Sequence, residues 1–378
     1  MNQFLSQPGP RRLAGYILTL EGWILGEIEF TDRITAIHGR AVVGPDHGLP
    51  LILPGFIDLH VHGGGGADVM DGGAAIDDIT RLHARHGTTS LLATTITSSP
   101  TDLRQALAGV GKAASERTHG GARVLGVHLE GPFINSGKLG AQPDLGRQAD
   151  LDEVRALHAL APLRIVTLAP ELAGHLQFVR ELTKMGIIAQ CGHSSGTYEE
   201  GVEAFGAGIK GFTHLFNAMS NFHHRAPGMV GAALAHAQYA EIIPDLLHVH
   251  PGAIRMAMRA IPHLYCVTDS TAAAGMPDGQ YRLGTHTVTK CMGGVRLADG
   301  TLAGSTLTMD QALRNLVKIG CSLEDAARRV STNPADYLGL QERGRLVPSA
   351  YADLAVLTHE LQLTAVYVEG ESIVLADV

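Results

Sequence analysis

The sequence predicts an α/β protein: a TIM-like (β/α)8 barrel joined to a small β-sandwich that both chain termini build together. Three observations favour this fold. Eight apolar, largely β-branched runs alternate with helix-like stretches through the middle of the chain. Repeated βα units with near-continuously apolar strands are typical of a parallel sheet covered by helices, and eight of them favour a closed barrel. Both chain ends instead contain short strands separated by turns.

The elements divide the chain into three segments. Residues 1–52 contain four short strand patterns and residues 341–378 contain three, and neither set forms a two-layer core alone, so we expect them to pair. Residues 53–340 form the barrel. Its eight predicted strands are Phe56–Val61, Ser90–Ile96, Arg123–Leu129, Arg164–Leu168, Ile187–Cys191, Gly211–Thr213, Ala240–Leu247 and Leu264–Thr268. The alternative is an open doubly wound sheet, which calls for a Gly-x-Gly-x-x-Gly motif after an early strand; Gly63–Gly66 lacks that spacing.

Composition narrows the class of protein. The chain has 378 residues, 45% of them hydrophobic and 17% charged, with a formal charge of −8. This acidic balance, without long Lys/Arg blocks, argues against nucleic acid or a membrane surface as the partner. No apolar run approaches the roughly 18 residues of a membrane span. The four cysteines are scattered and Met1–Arg12 lacks the apolar core of a signal peptide, so we expect a cytoplasmic protein.

The first barrel strand ends in a His-x-His pair, His60 and His62, followed by the four glycines of Gly63–Gly66. Side chains two apart on a strand share one face, so both imidazoles can bind one divalent ion from the same direction. An isolated pair of this kind is more often explained by two surface histidines at a strand-to-loop junction. Its interpretation therefore depends on partners elsewhere in the chain.

Such partners recur at the predicted strand ends, where barrel enzymes have their active sites. Six of the eight strands end in a residue able to bind metal or transfer a proton. These residues are His60 and His62, Glu130, His193, His214, His248 and Asp269. The preference of polar residues for turns explains one or two of these positions, but not their occurrence at the ends of six strands. Imidazole and carboxylate ligands suit Zn²⁺, Fe²⁺ or Mn²⁺, and the lack of cysteine ligands favours an open catalytic site.

Several motifs together resemble one known family. The stretch Pro54-Gly-Phe-Ile-Asp-Leu-His-Val-His62 resembles the first-strand signature of the amidohydrolase superfamily. Five further motifs resemble its N-acetylglucosamine-6-phosphate deacetylases: His128-Leu-Glu-Gly-Pro-Phe133, Gly192-His-Ser194, Thr213-His-Leu-Phe-Asn-Ala-Met219, Val267-Thr-Asp269 and Leu302-Ala-Gly-Ser305. Strand four ends Leu168-Ala-Pro-Glu171, without the modified lysine that many superfamily members use, and this agrees with the deacetylase resemblance.

The resemblance implies a metal centre with one or two divalent ions, Zn or Fe. One ion is expected on Glu130, His193 and His214. A second is expected on His60 and His62, with Glu130 bridging, although some members of the family keep a single ion. Asp269 is expected to take the proton of the attacking water and pass it to the departing amine. His248 is expected to donate a hydrogen bond to the acetamide oxygen.

The resemblance also implies a sugar phosphate as the substrate. Arg225, in Asn221-Phe-His-His-Arg-Ala-Pro-Gly228, matches the phosphate-binding arginine that the family contributes across a homodimer interface. Asn217 and Ala218 are expected to add contacts to the phosphate or sugar, as are Ala141 and Gln142. Gln142 departs from the family pattern, which usually has histidine at this position. The preference between the glucosamine and galactosamine epimers of the substrate therefore stays open.

Three functions stay open at this point. The first is hydrolysis of N-acetylglucosamine 6-phosphate to glucosamine 6-phosphate and acetate. The second is a related amidohydrolase acting on the galactosamine epimer, an N-acyl amino acid or a cyclic amide. The third is a non-enzymatic barrel scaffold, which the intact set of ligand-type residues argues against. Arg225 with Asn217–Met219 favours the first function, because a neutral substrate needs no such cation.

Overall fold

The computed structural model describes residues 9–375; the outermost parts of both predicted terminal segments, 1–8 and 376–378, lie outside the described residues. The strands are β1 (Arg11–Thr19), β2 (Gly22–Phe30), β3 (Ile34–Val42), β4 (Leu51–Pro54), β5 (Phe56–Val61), β6 (Gly63–Gly64), β7 (Ala67–Asp68), β8 (Thr88–Thr95), β9 (Arg123–Glu130), β10 (Leu163–Leu168), β11 (Ile188–Cys191), β12 (Gly211–Phe212), β13 (Glu241–Ile242), β14 (Tyr265–Cys266), β15 (Gly279–Leu283), β16 (His286–Cys291), β17 (Gly294–Arg296), β18 (Leu354–Leu357), β19 (Leu363–Val368) and β20 (Glu371–Ile373). The α-helices are α1 (Ala75–Arg85), α2 (Pro100–Ser115), α3 (Leu151–Leu160), α4 (His175–Lys184), α5 (Tyr198–Ala207), α6 (Gly228–His236), α7 (Pro251–Ala260), α8 (Met309–Lys318), α9 (Leu323–Val330) and α10 (Thr332–Tyr337).

The middle of the chain forms the predicted barrel. Strands β5, β8, β9, β10, β11 and β12 make one continuous parallel sheet, and β13 pairs with β14 in parallel. Backbone hydrogen bonds close the ring on both sides of this pair. The amide of Leu215 donates to the Glu241 carbonyl at 2.9 Å, and the amide of Asp269 donates to the His60 carbonyl at 2.9 Å. The barrel is therefore confirmed, and its seventh strand is much shorter than the predicted Ala240–Leu247.

Both chain termini join in one seven-stranded sheet of order β20-β19-β18-β4-β1-β2-β3, which confirms that they pair. Successive residues of β1 pack into two different hydrophobic cores, because their side chains point to opposite faces of the sheet. Leu18 packs in the core shared with the barrel, and Ile17 packs in a smaller core formed by the sheet of the termini. Phe30 on β2 and Tyr367 on β19 have ring centroids 5.1 Å apart although three strands, β18, β4 and β1, lie between them in the sheet. The sheet thus bends until its ends face each other, as in a sandwich.

Two features of the barrel differ from the sequence-based expectation. Helix α6 was not predicted, because its sequence Gly-Met-Val-Gly-Ala-Ala-Leu-Ala-His is apolar on nearly all sides and has no amphipathic period. The glycine-rich segment Ala272–Gly304, in which no strand was predicted, contains the antiparallel sheet β15–β17. Its apolar residues Leu283, Val288 and Val295 pack with Ile96 into a separate small core. This sheet forms one wall beside the ends of the barrel strands.

Among the described residues, no helix combines the length and the apolar character that crossing a bilayer requires.

Candidate active site

The predicted ligands Glu130, His193 and His214 converge at the carboxyl ends of β9, β11 and β12. Glu130 Oε1 lies 3.1 Å from His193 Nε2 and 2.9 Å from His214 Nε2, and the two nitrogens are 3.2 Å apart. Ligands about 2.1 Å from a tetrahedral zinc ion stand roughly 3.4 Å from one another. The three atoms are thus spaced as three corners of a small metal coordination shell.

A second cluster adjoins the first. His60 Nε2 and His62 Nε2 lie 3.1 Å apart, and His62 Nε2 is 3.2 Å from Glu130 Oε2. Asp269 Oδ1 is 3.5 Å from His60 Nε2 and 3.3 Å from His62 Nε2. Glu130 therefore directs one carboxylate oxygen at each cluster. All six side chains are nearly or fully buried, so they meet in a protected site.

The hydrogen-bond partners of the imidazole rings fit a cation in this site. The Nδ1 atoms of His62 and His193 face the backbone carbonyls of Thr94 and Lys138 at 3.1 and 2.8 Å, so each Nδ1 is the protonated donor. In the neutral imidazole each Nε2 then presents a lone pair to the Glu130 carboxylate. Lone pairs about 3 Å apart repel unless a proton or a cation lies between them. The histidine and carboxylate donors here therefore fit a divalent transition metal.

The charges and pKa shifts of the cluster also favour a bound cation. Burial would raise the pKa of Glu130, but the neighbouring imidazoles, His60 first among them, hold that pKa well below its usual range. Burial would lower the pKa of His62, but hydrogen bonds to Asp269 and Glu130 outweigh it and raise the pKa to about 9. The carboxylates thus create a strongly negative site that stabilises positive charge.

Three of the residues adopt unusual backbone conformations. His193, His214 and Asp269 have φ values of 49°, 31° and 50°, in the left-handed region that side chains with a Cβ rarely adopt. Each such residue costs on the order of 1–3 kcal/mol and persists where surrounding structure enforces it, commonly at functional sites. Here the turn directly after each strand rotates the side chain over the barrel mouth.

A cavity of about 210 Å³ opens above the clusters. The predicted ligands His62, Glu130, His193 and His214 line it. So do six of the residues predicted to act on or bind the substrate: Ala141, Gln142, Asn217, Ala218, His248 and Asp269. Leu283 and Leu302, from the wall that follows β14, contribute apolar contacts on the other side. The structure therefore brings these sequence-predicted residues around one space.

Two of them have contacts that the sequence did not predict. Gln142 donates from Nε2 to Glu130 Oε2 at 2.5 Å and accepts from the Thr97 amide at 2.7 Å. Both ends of its side-chain amide are therefore hydrogen-bonded to other residues of the protein. His248 Nδ1 lies 2.6 Å from Asp245 Oδ2. Burial would lower the pKa of His248, but the hydrogen bond and charge of Asp245 outweigh it and raise that pKa.

Arg225 is the predicted site residue that the single chain does not bring to the cavity. It is exposed in the segment before α6, and its Nη1 lies 2.7 Å from His224 Nε2. Among the described residues, no lysine or arginine lines the cavity.

Two carboxylates beside the site, one partly and one fully buried, were missed in the sequence. Asp245 lies three residues before His248, and Glu241 on β13 is fully buried with its carboxylate 2.9 Å from His60 Nδ1. A charged residue inside the apolar run Ala240–Ile243 was the available signal for Glu241.

Comparison with known proteins agrees with this geometry. A model of the amidohydrolase family matches residues 51–373. The chain is 38% identical over 365 residues to an N-acetylgalactosamine-6-phosphate deacetylase of Escherichia coli O157:H7, which covers 94% of this chain and 97% of that protein. It is 40% identical over 351 residues to an N-acetylglucosamine-6-phosphate deacetylase of Bacillus subtilis, covering 90% and 88% of the two chains.

Solved structures give the same result. A variant of the N-acetyl-D-glucosamine-6-phosphate deacetylase of Mycobacterium smegmatis, in complex with N-acetyl-D-glucosamine-6-phosphate, superposes with a TM-score of 0.90 at 34% identity. The match covers 97% of this chain and all of that one. This chain therefore belongs to the amidohydrolase family, in the branch whose named members are deacetylases of N-acetylated sugar 6-phosphates.

Proposed function

We propose that this protein is a metal-dependent deacetylase that hydrolyses N-acetylglucosamine 6-phosphate to glucosamine 6-phosphate and acetate, as part of amino-sugar catabolism in the cytoplasm. The observation that carries the proposal is the convergence of Glu130, His193 and His214 within 3.2 Å of one another beneath a cavity that Asp269 and His248 line. The named activity of relatives that match along almost the whole chain supports it.

Glu130, His193 and His214 would hold one divalent ion, and His60 and His62, together with Glu130, would hold a second. Zn²⁺ and Fe²⁺ suit these nitrogen and oxygen donors. A bound ion of this kind supplies a hydroxide nucleophile near neutral pH and polarises a carbonyl group. The protein holds these ligands rigidly, because carbonyls fix the rings of His62 and His193, and the Gln142 amide holds Glu130.

Asp269 is the proton carrier in this proposal. Its carboxylate accepts a proton from the water that attacks the acetamide carbon. It then returns that proton to the amide nitrogen as the carbon–nitrogen bond breaks, because an amide anion is a very poor leaving group. Burial would raise the pKa of Asp269, but the neighbouring His60 and His62 outweigh it and lower that pKa. A cation held at the Nε2 atoms of these histidines would act in the same direction, so the carboxylate is ionised and able to accept a proton.

His248 stabilises the charge that develops on the acetamide oxygen. Asp245 accepts the Nδ1 hydrogen bond and leaves His248 Nε2 free to donate toward the cavity. A donor that faces the developing oxyanion stabilises the transition state more than the ground state. Asn217, Ala218, Ala141 and Gln142 would border the sugar on the remaining sides.

The phosphate requires a cation, and within residues 9–375 no lysine or arginine lines the cavity. We assign this role to Arg225 of a second copy in a homodimer, because a guanidinium fork matches phosphate oxygens. Arg225 is exposed and available for such a contact. A two-fold dimer would complete both sites by the same contact.

The direct test is an acetate-release assay on N-acetylglucosamine 6-phosphate, with metal analysis of the same sample. We expect turnover that a chelator abolishes and added Zn²⁺ or Fe²⁺ restores. Turnover that persists in fully metal-depleted protein would contradict the proposal.

The galactosamine epimer is a second candidate substrate, since the Escherichia coli relative is named for it and matches over 97% of that protein's length. Measuring kcat/KM for both epimeric sugar phosphates decides between the candidates. A clear preference for N-acetylgalactosamine 6-phosphate would reassign the substrate and leave the reaction class unchanged.

A further inference from the structure

A buried carboxylate, Glu241, lies behind the metal-ligand clusters and has no part in the proposed reaction. It is completely buried at the start of β13. Its Oε2 accepts from His60 Nδ1 at 2.9 Å and from the backbone amide of His214 at 3.0 Å. One oxygen atom thus contacts ligand residues from two different barrel strands.

The other oxygen of Glu241 is also fully used. Its Oε1 accepts from Gln190 Nε2 at 2.8 Å, and the Tyr265 hydroxyl lies 3.5 Å away. Up to four donors therefore converge on one carboxylate inside the barrel. A buried charge is stable when such donors surround it, and removing its charge leaves donors without acceptors.

A third metal site is the alternative explanation for this group, because His60, His128 and Glu241 bring three ligand-type atoms close together. The contacts of His128 argue against it. Its Nδ1 faces the Leu59 carbonyl at 2.9 Å and its Nε2 lies 2.7 Å from the Thr167 hydroxyl, so both ring nitrogens are occupied by hydrogen bonds. The geometry around Glu241 is that of a hydrogen-bond acceptor.

We propose that Glu241 is a positioning residue for the metal centre, which orients the His60 ring and makes its Nε2 a better ligand. Because the Nδ1 proton of His60 is directed at Glu241, the Nε2 lone pair must point into the ligand cluster. Carboxylates bound to metal-ligating histidines fix the ring and raise its basicity, and their loss typically weakens metal affinity about 10–100-fold. This inference rests on the metal role of His60 in the proposed function.

The test is a double-mutant cycle on Zn²⁺ affinity, measured by titrating metal-depleted full-length protein against a chromophoric chelator. The variants are Glu241→Gln, His60→Asn and both together. We expect Glu241→Gln to weaken Zn²⁺ binding about 10–100-fold, and to weaken it no further in the His60→Asn background. Asp353→Asn, a change at another buried carboxylate that pairs with Arg343, is the control and should leave Zn²⁺ affinity unchanged.

The outcomes separate the two claims. If Glu241→Gln weakens Zn²⁺ binding equally in the wild-type and His60→Asn backgrounds, its role is generally structural and the inference is overturned. Wild-type Zn²⁺ affinity in Glu241→Gln would overturn it as well. Unchanged Zn²⁺ binding in His60→Asn alone would refute the metal role of His60, and the positioning role with it. Glu241→Asp keeps the charge but shortens the side chain; if Glu241→Gln does not fold, this variant replaces it, and wild-type Zn²⁺ affinity in Glu241→Asp would overturn the inference.

Discussion

Asp245 and His248 form a carboxylate–imidazole pair with 2.6 Å between Asp245 Oδ2 and His248 Nδ1, and Asp245 Oδ1 also accepts from the His248 backbone amide at 2.8 Å. Both contacts belong to the turn after β13. The pair therefore fixes the ring and its tautomer before any substrate arrives. Asp245 also raises the pKa of His248, with a smaller contribution in the same direction from Asp269, while Arg296 opposes it.

This pair predicts a shift in the pH profile of Asp245→Asn. The raised pKa keeps His248 protonated to higher pH, so activity that needs the charged donor falls only as pH rises through that pKa. Without the Asp245 charge the fall should begin at lower pH, and kcat should drop about 10-fold or more because a transition-state donor is weakened.

Measuring kcat across the pH range checks this prediction. Asp152→Asn makes the same chemical change on the exposed surface of α3 and should leave the profile as in the wild type. An unshifted alkaline limb in Asp245→Asn would remove the pair from the mechanism.

Replacing Asp269 by Asn should abolish the proton transfer. We expect kcat to fall about 10²–10⁴-fold, because an amide cannot accept and return a proton. Metal content should remain normal, since Glu130, His193 and His214 are unchanged. Acetate release and metal analysis on one preparation test both statements, and near-wild-type turnover would exclude Asp269 as the proton carrier.

Arg225→Ala should raise KM for the phosphorylated sugar far more than for unphosphorylated N-acetylglucosamine, because only the phosphate needs the guanidinium. An equal change on both substrates would argue against phosphate binding. Arg81→Ala, a change at a half-exposed arginine on the outer surface of α1, is the control and should alter neither KM.

Subunit mixing tests whether Arg225 acts across the interface. Arg225→Ala and Asp269→Asn chains are each defective alone, but a mixed dimer would contain one complete site. After subunit exchange we expect about a quarter of wild-type activity at low substrate, because about half of the dimers are mixed and each has one of two sites intact. Mixtures no more active than the two variants measured separately would place Arg225 in its own chain's site or outside the site altogether.

The sheet of the termini is joined to the barrel by ion pairs at Glu369. Its carboxylate receives two hydrogen bonds from Arg123, at 2.8 and 2.7 Å, and also pairs with Arg343. Burial would raise the pKa of Glu369, but these arginines outweigh it and lower the pKa to about 2. A carboxylate with a lowered folded-state pKa stabilises the fold above its unfolded pKa, and this is lost as pH falls toward 2.

Glu369→Gln should therefore lower the unfolding free energy by about 1–2 kcal/mol at neutral pH, after allowance for solvent screening. The difference from the wild type should shrink as pH falls below about 4.5 and approach zero near pH 2. Thermal unfolding of both metal-depleted proteins between pH 2 and neutral pH measures this difference in unfolding free energy. Glu360→Gln, at an exposed position, should change little, and a pH-independent Glu369→Gln deficit would contradict the electrostatic explanation.

The alternation of apolar runs and amphipathic stretches was enough to predict the barrel, because strands and helices have different hydrophobic periods. Helix α6 could not be predicted in this way, since its first six residues are all buried and it has no polar face to reveal its period. The strands β15–β17 were missed because they are short and lie in a glycine-rich segment. The domain boundaries at residues 52/53 and 340/341 stay predictions.

By itself the sequence determined the fold class and the ligand-type residues, because barrel strands carry functional side chains at one predictable end. Only the tertiary structure decided which atoms face one another. The fold brings Glu241 within hydrogen-bond distance of His60, although 181 positions separate them in the chain. It also places hydrogen-bond partners at both ends of the Gln142 side-chain amide. Such contacts depend on strand register and on left-handed turns at His193, His214 and Asp269, which no local pattern specifies.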